Sequence, residues 1–371
     1  MSRAACIACI CLGMIMLSLV LTACGGPVVT MTPTMLPTLE GPAAKIDQLL
    51  NSLASDGSFT GAVLVAQNDE VLLSRGYGLA DRDRNFPNTP QTKYRIGSIT
   101  KQFTAMAILM LQDQGKLKVQ DRVCLYVPEC PVSWQEITIH HLLIHTSGIP
   151  DWTDFPEYMT IRATPTVPLQ TIGLFKDKPL VFSTGEMWSY SNSGYDVLGY
   201  IIEQASGQSY ETFLRQNIFE PLQMTNTGYE HDQSGLAKGY TGRHREWIQA
   251  DYIDMSGPYA ASGLYSTVAD LYLWDQALYT ERLVSQELLN LMFTPHVRMP
   301  DSQYAYGYGW ALGDRNGHFT AGHAGWIEGF TTKIRRYLER EDRATIIVLS
   351  NRDTTNVETI VDQIAQVLFP E

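Results

Sequence analysis

An α+β fold is predicted for this chain of 371 residues: an antiparallel sheet built from both chain ends and flanked by helices, plus a mostly helical lobe, with the active site between them. Three observations carry the expectation. Gly61 to Gln67 and Val71 to Tyr77 are β-rich runs joined at Asn68-Asp69-Glu70, a hairpin signal. Thr331 to Tyr337 and Ala344 to Ser350 repeat that pattern near the other end, around Glu339 to Asp342. Each pair has a terminal helix beside it: Ile46, Leu49, Leu50 and Leu53 share one helical face, as do Val357, Ile360, Val361, Ile364 and Leu368. The stretch from Ser98 to about Leu291 is richer in helices and loops and supplies the second lobe.

Residues 1–23 read as a targeting segment. Arg3 gives a positive start, Ile7 to Val20 an apolar core too short for a convincing membrane span, and Leu21-Thr22-Ala23-Cys24 a small-residue cleavage site. A cysteine there resembles the lipobox of bacterial lipoproteins, which implies lipidation at Cys24, export to the cell envelope and attachment to a membrane through that lipid. Residues 24–42 carry Pro27, Pro33, Pro37 and Pro42 among Thr, Gly and Met, a tether without a packed core. Residues 43–371 then form the folded domain, in a chain whose 44% hydrophobic content suffices for a large core. A formal charge of −12 argues against nucleic acid as a partner. Of six cysteines, four belong to the leader; Cys124 and Cys130 remain, and in an exported chain they are expected to form a disulfide rather than a zinc site, for which no histidine lies at suitable spacing.

The helix that the chain is organised around follows Gly97-Ser98-Ile99-Thr100-Lys101, because Phe103 to Leu111 is apolar nearly all the way round and must be buried on every side. Ser98 falls at its N-terminus, where free N–H groups favour developing negative charge, and Lys101 lies on the same face three residues on. A desolvated lysine that loses its proton can activate a serine. Alone, the pair also fits an N-cap beside a solvated lysine. His141 and His145 lie at metal-ligand spacing but without a third ligand, so a structural helix ending at Gly148 is expected instead. Ser147 lacks a nearby lysine. Farther on, Tyr190 and Asn192 open a helix through Val197, Leu198, Ile201 and Ile202, where a phenol and an amide could serve acid–base work and substrate binding.

Ser98-x-x-Lys101, Tyr190-x-Asn192 and Gly322-His323-Ala324-Gly325-Trp326 occur in that order, with His-Thr-Ser-Gly-Ile-Pro and Tyr-Ser-Asn-Ser-Gly-Tyr between them. Together they resemble the serine β-lactamase and penicillin-binding protein superfamily, in the branch of class C β-lactamases, DD-carboxypeptidases and related esterases. The resemblance covers nearly all of 43–369. It implies that Ser98 attacks a carbonyl and becomes acylated, with Lys101 and Tyr190 sharing the proton transfers. It implies an oxyanion site from the N–H groups of Ser98 and Trp326, with Asn192 holding the substrate amide or the Lys101 ammonium. Gly325 would let the substrate approach closely. No metal or organic cofactor is implied.

One departure matters. Penicillin-handling members carry Lys-Thr-Gly where this chain has His323-Ala324-Gly325. A histidine is only partly charged near neutrality and alanine donates nothing, so a substrate carboxylate loses its partners. The expectation is therefore an exported serine hydrolase of a small-molecule or peptide ester or amide, carboxylesterase-like or D-amino-acid peptidase-like. The alternatives are a class C-like β-lactamase, or a lipoprotein that senses cell-wall peptide or β-lactam without turnover. Trp152, Trp188, Trp310, Tyr259, Tyr306 and Tyr308 are expected in loops walling an aromatic cleft.

Overall fold

The computed structural model describes residues 39–229, 234–242, 246–339 and 343–370. The targeting segment, Cys24, the tether as far as residue 38 and part of the turn around Glu339 lie outside them. Helix α1 spans Gly41–Ser55 and buries Ala43, Ile46 and Leu50. Gly41 and Pro42 therefore belong to this helix and not to the tether; proline's fixed φ and missing N–H suit a first helical turn.

Strands β1 (Gly61–Gln67) and β2 (Glu70–Tyr77) form the expected hairpin. The lobe that follows is mostly helical. Its main elements are α2 (Thr100–Asp113), α3 (Ile139–Leu143), α4 (Asn192–Ser206), α5 (Tyr259–Ser262) and α6 (Val268–Ala277). Every residue of α2 from Thr100 to Leu111 is buried, as its uniformly apolar run requires. Helix α3 stops at Leu143, short of Gly148: His145 adopts a left-handed φ of 61°, which breaks the helix before the glycine is reached.

The chain then returns to the sheet earlier than the periodicity suggested. Strands β3 (Val297–Arg298), β4 (Ala305–Tyr306), β5 (Ala311–Arg315) and β6 (His318–Ile327) precede β7 (Phe330–Tyr337) and β8 (Ala344–Ser350), and helix α7 (Val357–Leu368) closes the fold. The sheet order is β3-β4-β5-β6-β7-β8-β1-β2, so the C-terminal β8 pairs with the N-terminal β1, Gly61 opposite Ser350 and Val65 opposite Ile346. His323 to Trp326 thus lie within a strand and not ahead of one. Glycine and alanine there have little β-propensity of their own, and pairing with β7 supplies the strand.

Successive β7 side chains point to opposite faces and identify what covers each. Arg335 bonds Glu358 and Asp362 of α7, whereas Arg336 bonds Asp275 of α6 at 2.6 Å. The second pair is 1% and 0% exposed, and the Arg336 guanidinium also lies 4.4 Å from the Tyr279 ring centre. Cys124 and Cys130 are joined in a disulfide, S–S 2.06 Å. Asp275→Ala should lower unfolding stability by about 3–5 kcal/mol in denaturant titrations, because it strands the Arg336 charge in the core.

Candidate active site

Gly97 begins the site with a φ of 53°, a conformation glycine adopts without strain, and a 3-10 turn over Gly97–Ile99 leads straight into α2. This turn presents Ser98. One turn on, Lys101 is fully buried and its Nζ donates to Ser98 Oγ at 3.1 Å, Asn192 Oδ1 at 2.8 Å and the Ala261 carbonyl at 3.1 Å. The ammonium also lies 4.6 Å from the centre of the Tyr190 ring. Burial pulls the Lys101 pKa down to about 7, against the opposing influence of Asp151 and Asp196. A neutral amine has two N–H groups for the amide and carbonyl oxygens and a lone pair left for Ser98. The three-acceptor geometry therefore serves both protonation states.

Tyr190 faces Ser98 closely enough for the hydroxyl to influence its phenol, and burial pushes that phenol well above the ordinary value, so it stays protonated at neutral pH. Its ring centre lies 4.4 Å from that of His145, the two planes tilted by 35°, and His145 Nδ1 accepts the Ser191 N–H at 3.1 Å. The unusual backbone at His145 thus props the loop that carries Tyr190 and Asn192. Ser147 turns away, its hydroxyl accepting the Ile149 N–H.

Asn192 has no N–H to spare for a substrate. Its Nδ2 donates to Asp151 Oδ2 at 2.9 Å and Thr153 Oγ1 at 3.3 Å, while its backbone N–H also bonds Asp151 Oδ2 at 2.8 Å. With the amide fixed that way round, Oδ1 faces Lys101, so of the two partners expected for Asn192 the structure gives the lysine. Asp151 was not singled out in the sequence. Neither was Asp196, one helical turn beyond Asn192, whose buried carboxyl accepts Trp152 Nε1 at 2.8 Å and whose pKa burial raises well above the carboxylate range. Four-residue spacing on α4 was the available signal. Ser262 is a third such residue, its Oγ 3.3 Å from Ser98 Oγ.

Strand β6 borders the turn that carries Ser98. Strand β5 pairs with it only as far as Gly322, which leaves the outer edge of His323 to Ile327 open toward Ser98. A Cβ on Gly97 would come within 2.8 Å of Trp326 N, so the two backbones are nearly in contact. Gly325 is required for that contact: a Cβ there would lie 2.0 Å from the Ile96 carbonyl oxygen. The same oxygen accepts a bond from Thr332 Oγ1 at 2.8 Å.

His323 is 6% exposed and held at both ring nitrogens, Nδ1–H donating to the Ala324 carbonyl at 2.6 Å and Nε2 accepting from Tyr306 Oη at 2.9 Å. Burial beside Lys101 and Lys333 pulls its pKa down to about 3, so it carries no charge at neutrality, where partial charge was expected. Of the six aromatic residues expected to wall the cleft, Trp152 does so, in an opening of about 190 Å³ that also touches Ser98, Asn192 and Trp326. Tyr306 and Trp188 back the other side around His323 and Tyr190. Trp310, Tyr259 and Tyr308 are packed inward, against Phe293, Tyr210 and His140 respectively. The exposed ring at the cleft is that of Trp326, 57% accessible.

Comparison with known proteins agrees with this geometry. The Beta-lactamase family model matches residues 45–369. PbpX of Bacillus subtilis (strain 168), a protein named for penicillin binding, is 32% identical over 331 residues, covering 88% of this chain and 79% of that one. The octameric penicillin-binding protein homologue from Pyrococcus abyssi superposes with a TM-score of 0.78 at 29% identity, over 87% of this chain and 76% of that one. The D-amino acid amidase from Ochrobactrum anthropi SV3, solved with D-phenylalanine, shares the fold with a TM-score of 0.79 at 23% identity, over 88% and 98% of the two chains. With its sheet, its central helix and its serine–lysine cleft in place, this chain belongs to the Beta-lactamase family and is a serine hydrolase.

Proposed function

We propose that the protein cleaves an ester or amide through an acyl-enzyme on Ser98, as a carboxylesterase or a D-amino-acid peptidase. The observation that carries this reading is Lys101 Nζ, buried, 3.1 Å from Ser98 Oγ and half-deprotonated near neutral pH. Lys101 takes the Ser98 proton as the oxygen attacks. Tyr190, still protonated, gives its proton to the leaving group, and the Lys101 ammonium beside its ring passes the Ser98 proton on to the phenolate, which restores both groups. The N–H groups of Ser98 and Trp326 receive the oxyanion; one such donor contributes about 2.7–4 kcal/mol to lowering the barrier.

The neutral His323 and the methyl of Ala324 favour substrates without a carboxylate at that position, which ranks penicillins below esters and amides. In this reading the chain is exported and held at a membrane by a lipid on Cys24, and its substrates are small molecules or peptides. A β-lactam that acylates and departs slowly, with no ester or amide turned over, would instead indicate the penicillin-sensing alternative.

Intact mass of the protein after treatment with a fluorophosphonate should show one adduct, absent in Ser98→Ala, and ester turnover by that variant should fall by roughly a millionfold. Adduct formation by Ser98→Ala would remove Ser98 from its role. A penicilloyl adduct that accumulates while esters turn over freely would match the substrate ranking; rapid penicillin turnover would reverse it.

The pH profile tests the base. Above about pH 7 Lys101 is neutral, so kcat/KM should rise with pH through a midpoint near 7. Asp151 raises the Lys101 pKa, so Asp151→Asn should move that midpoint to lower pH. A limb unmoved in that variant would mean that another group titrates there.

A further inference from the structure

Beside the Ser98 opening, across Trp152, lies a second cavity that the proposed chemistry does not use. It measures about 200 Å³ and shares Trp152, Tyr158 and Pro258 with the Ser98 opening. Ile161, Leu174 and Ile253 line its far end. Several of the polar groups around it are engaged elsewhere. Arg162 is turned to Glu328 at 2.6 Å and Asp251 at 2.7 Å, the Thr166 N–H donates to Ser256 Oγ at 2.8 Å, and Thr166 and Thr171 face each other. Beyond the side chains of Thr164 and Gln170, what is left for an occupant is mostly ring and aliphatic carbon.

Which part of a substrate enters is decided by the two sides of Ser98. Tyr190, the leaving-group acid in the proposed function on which this inference rests, borders a separate cavity of about 390 Å³ with His323 and Ala324. The leaving group belongs on that side. The Ser98 opening, with Asn192 and Trp152, lies on the other, where the carbonyl substituent must extend. We infer that the cavity behind Trp152 is an acyl pocket and that the substrates carry an unbranched aliphatic or aryl acyl group of several carbons. Its volume is several times the roughly 30 Å³ that one water occupies, which exceeds what an acetyl methyl fills.

Gly257 gives access to a test, since a Cβ there would meet nothing nearer than 3.5 Å and would lie 3.6 Å from the Trp152 ring. A larger side chain continuing from it enters the cavity. The experiment measures kcat/KM for p-nitrophenyl esters from acetate to decanoate with the wild type, Gly257→Leu and Ile161→Trp, the last obstructing from a different element. Wild-type values should rise roughly fourfold per methylene until the cavity is full and then level off. In both variants the octanoate-to-acetate ratio should fall by about tenfold or more, with thermal unfolding confirming that each is folded. A wild-type profile flat in chain length, or ratios unchanged in both folded variants, would overturn the acyl pocket.

Binding of the same esters to Ser98→Ala, read by tryptophan fluorescence, separates this inference from the function beneath it. Affinity that climbs with chain length supports the pocket even if the wild type turns over no ester, a result that would sink only the serine chemistry. Equal affinity for acetate and octanoate esters would overturn the pocket whatever the turnover.

Discussion

The site depends on keeping one lysine out of water. Burying an ammonium is costly unless it is hydrogen-bonded or can shed its proton, and Lys101 does both. Its three acceptors come from three places in the chain: the turn ahead of α2, the start of α4 and the end of α5. No carboxylate touches it directly among the described residues. Asp151 and Asp196 act from a distance, and burial raises the pKa of Asp196 itself. A direct ion pair would hold Lys101 charged and useless as a base; the amide of Asn192 between Asp151 and Lys101 transmits orientation without full charge.

The second constraint is the approach of β6 to the nucleophile turn. Gly97 and Gly325 are the residues whose missing side chains allow it, and Thr332 ties Ile96 to the sheet from behind. The sheet, assembled from both chain ends, therefore fixes one proposed oxyanion donor, and the helical lobe fixes Ser98, the proposed nucleophile, and the other. A shift between the two halves would move Trp326 N relative to Ser98. That dependence gives a structural reason for the length of the chain: the strand order that puts β8 beside β1 also puts β6 against the start of α2.

Much of this was legible in the sequence where a local pattern and its chemistry coincide. The apolar run of α2, the hairpin β1–β2 and the face of α7 are set by neighbours a few residues away, and the spacings of Ser98 with Lys101 and of Tyr190 with Asn192 are equally local. Asp151 and Asp196 escaped notice because their importance lies in contacts across 41 and 44 residues, with Asn192 and Trp152. The state of His323 also depends on burial, which no pattern around His323 reveals. Trp310, Tyr259 and Tyr308 looked like cleft residues because a loop aromatic can face either way; packing turned them inward. The boundary at His145 was missed because a left-handed histidine is uncommon, and here the contact with Ser191 and Tyr190 compensates for it.

His323 bears on more than the penicillin question. A charged residue at its place would sit in the same buried region as Lys101, and each cation would lower the other's pKa. Lys101 already titrates near 7; a second fixed charge would drive it lower still and weaken it as a base. A neutral imidazole, pinned between Tyr306 and the Ala324 carbonyl, removes that coupling. In the proposed reading, a weaker hold on a substrate carboxylate and the tuning of Lys101 are then two consequences of a neutral residue at 323. The same reasoning assigns the discriminating contacts to the other side of Ser98, where Trp152 and the exposed Trp326 offer carbon surface and no fixed positive charge.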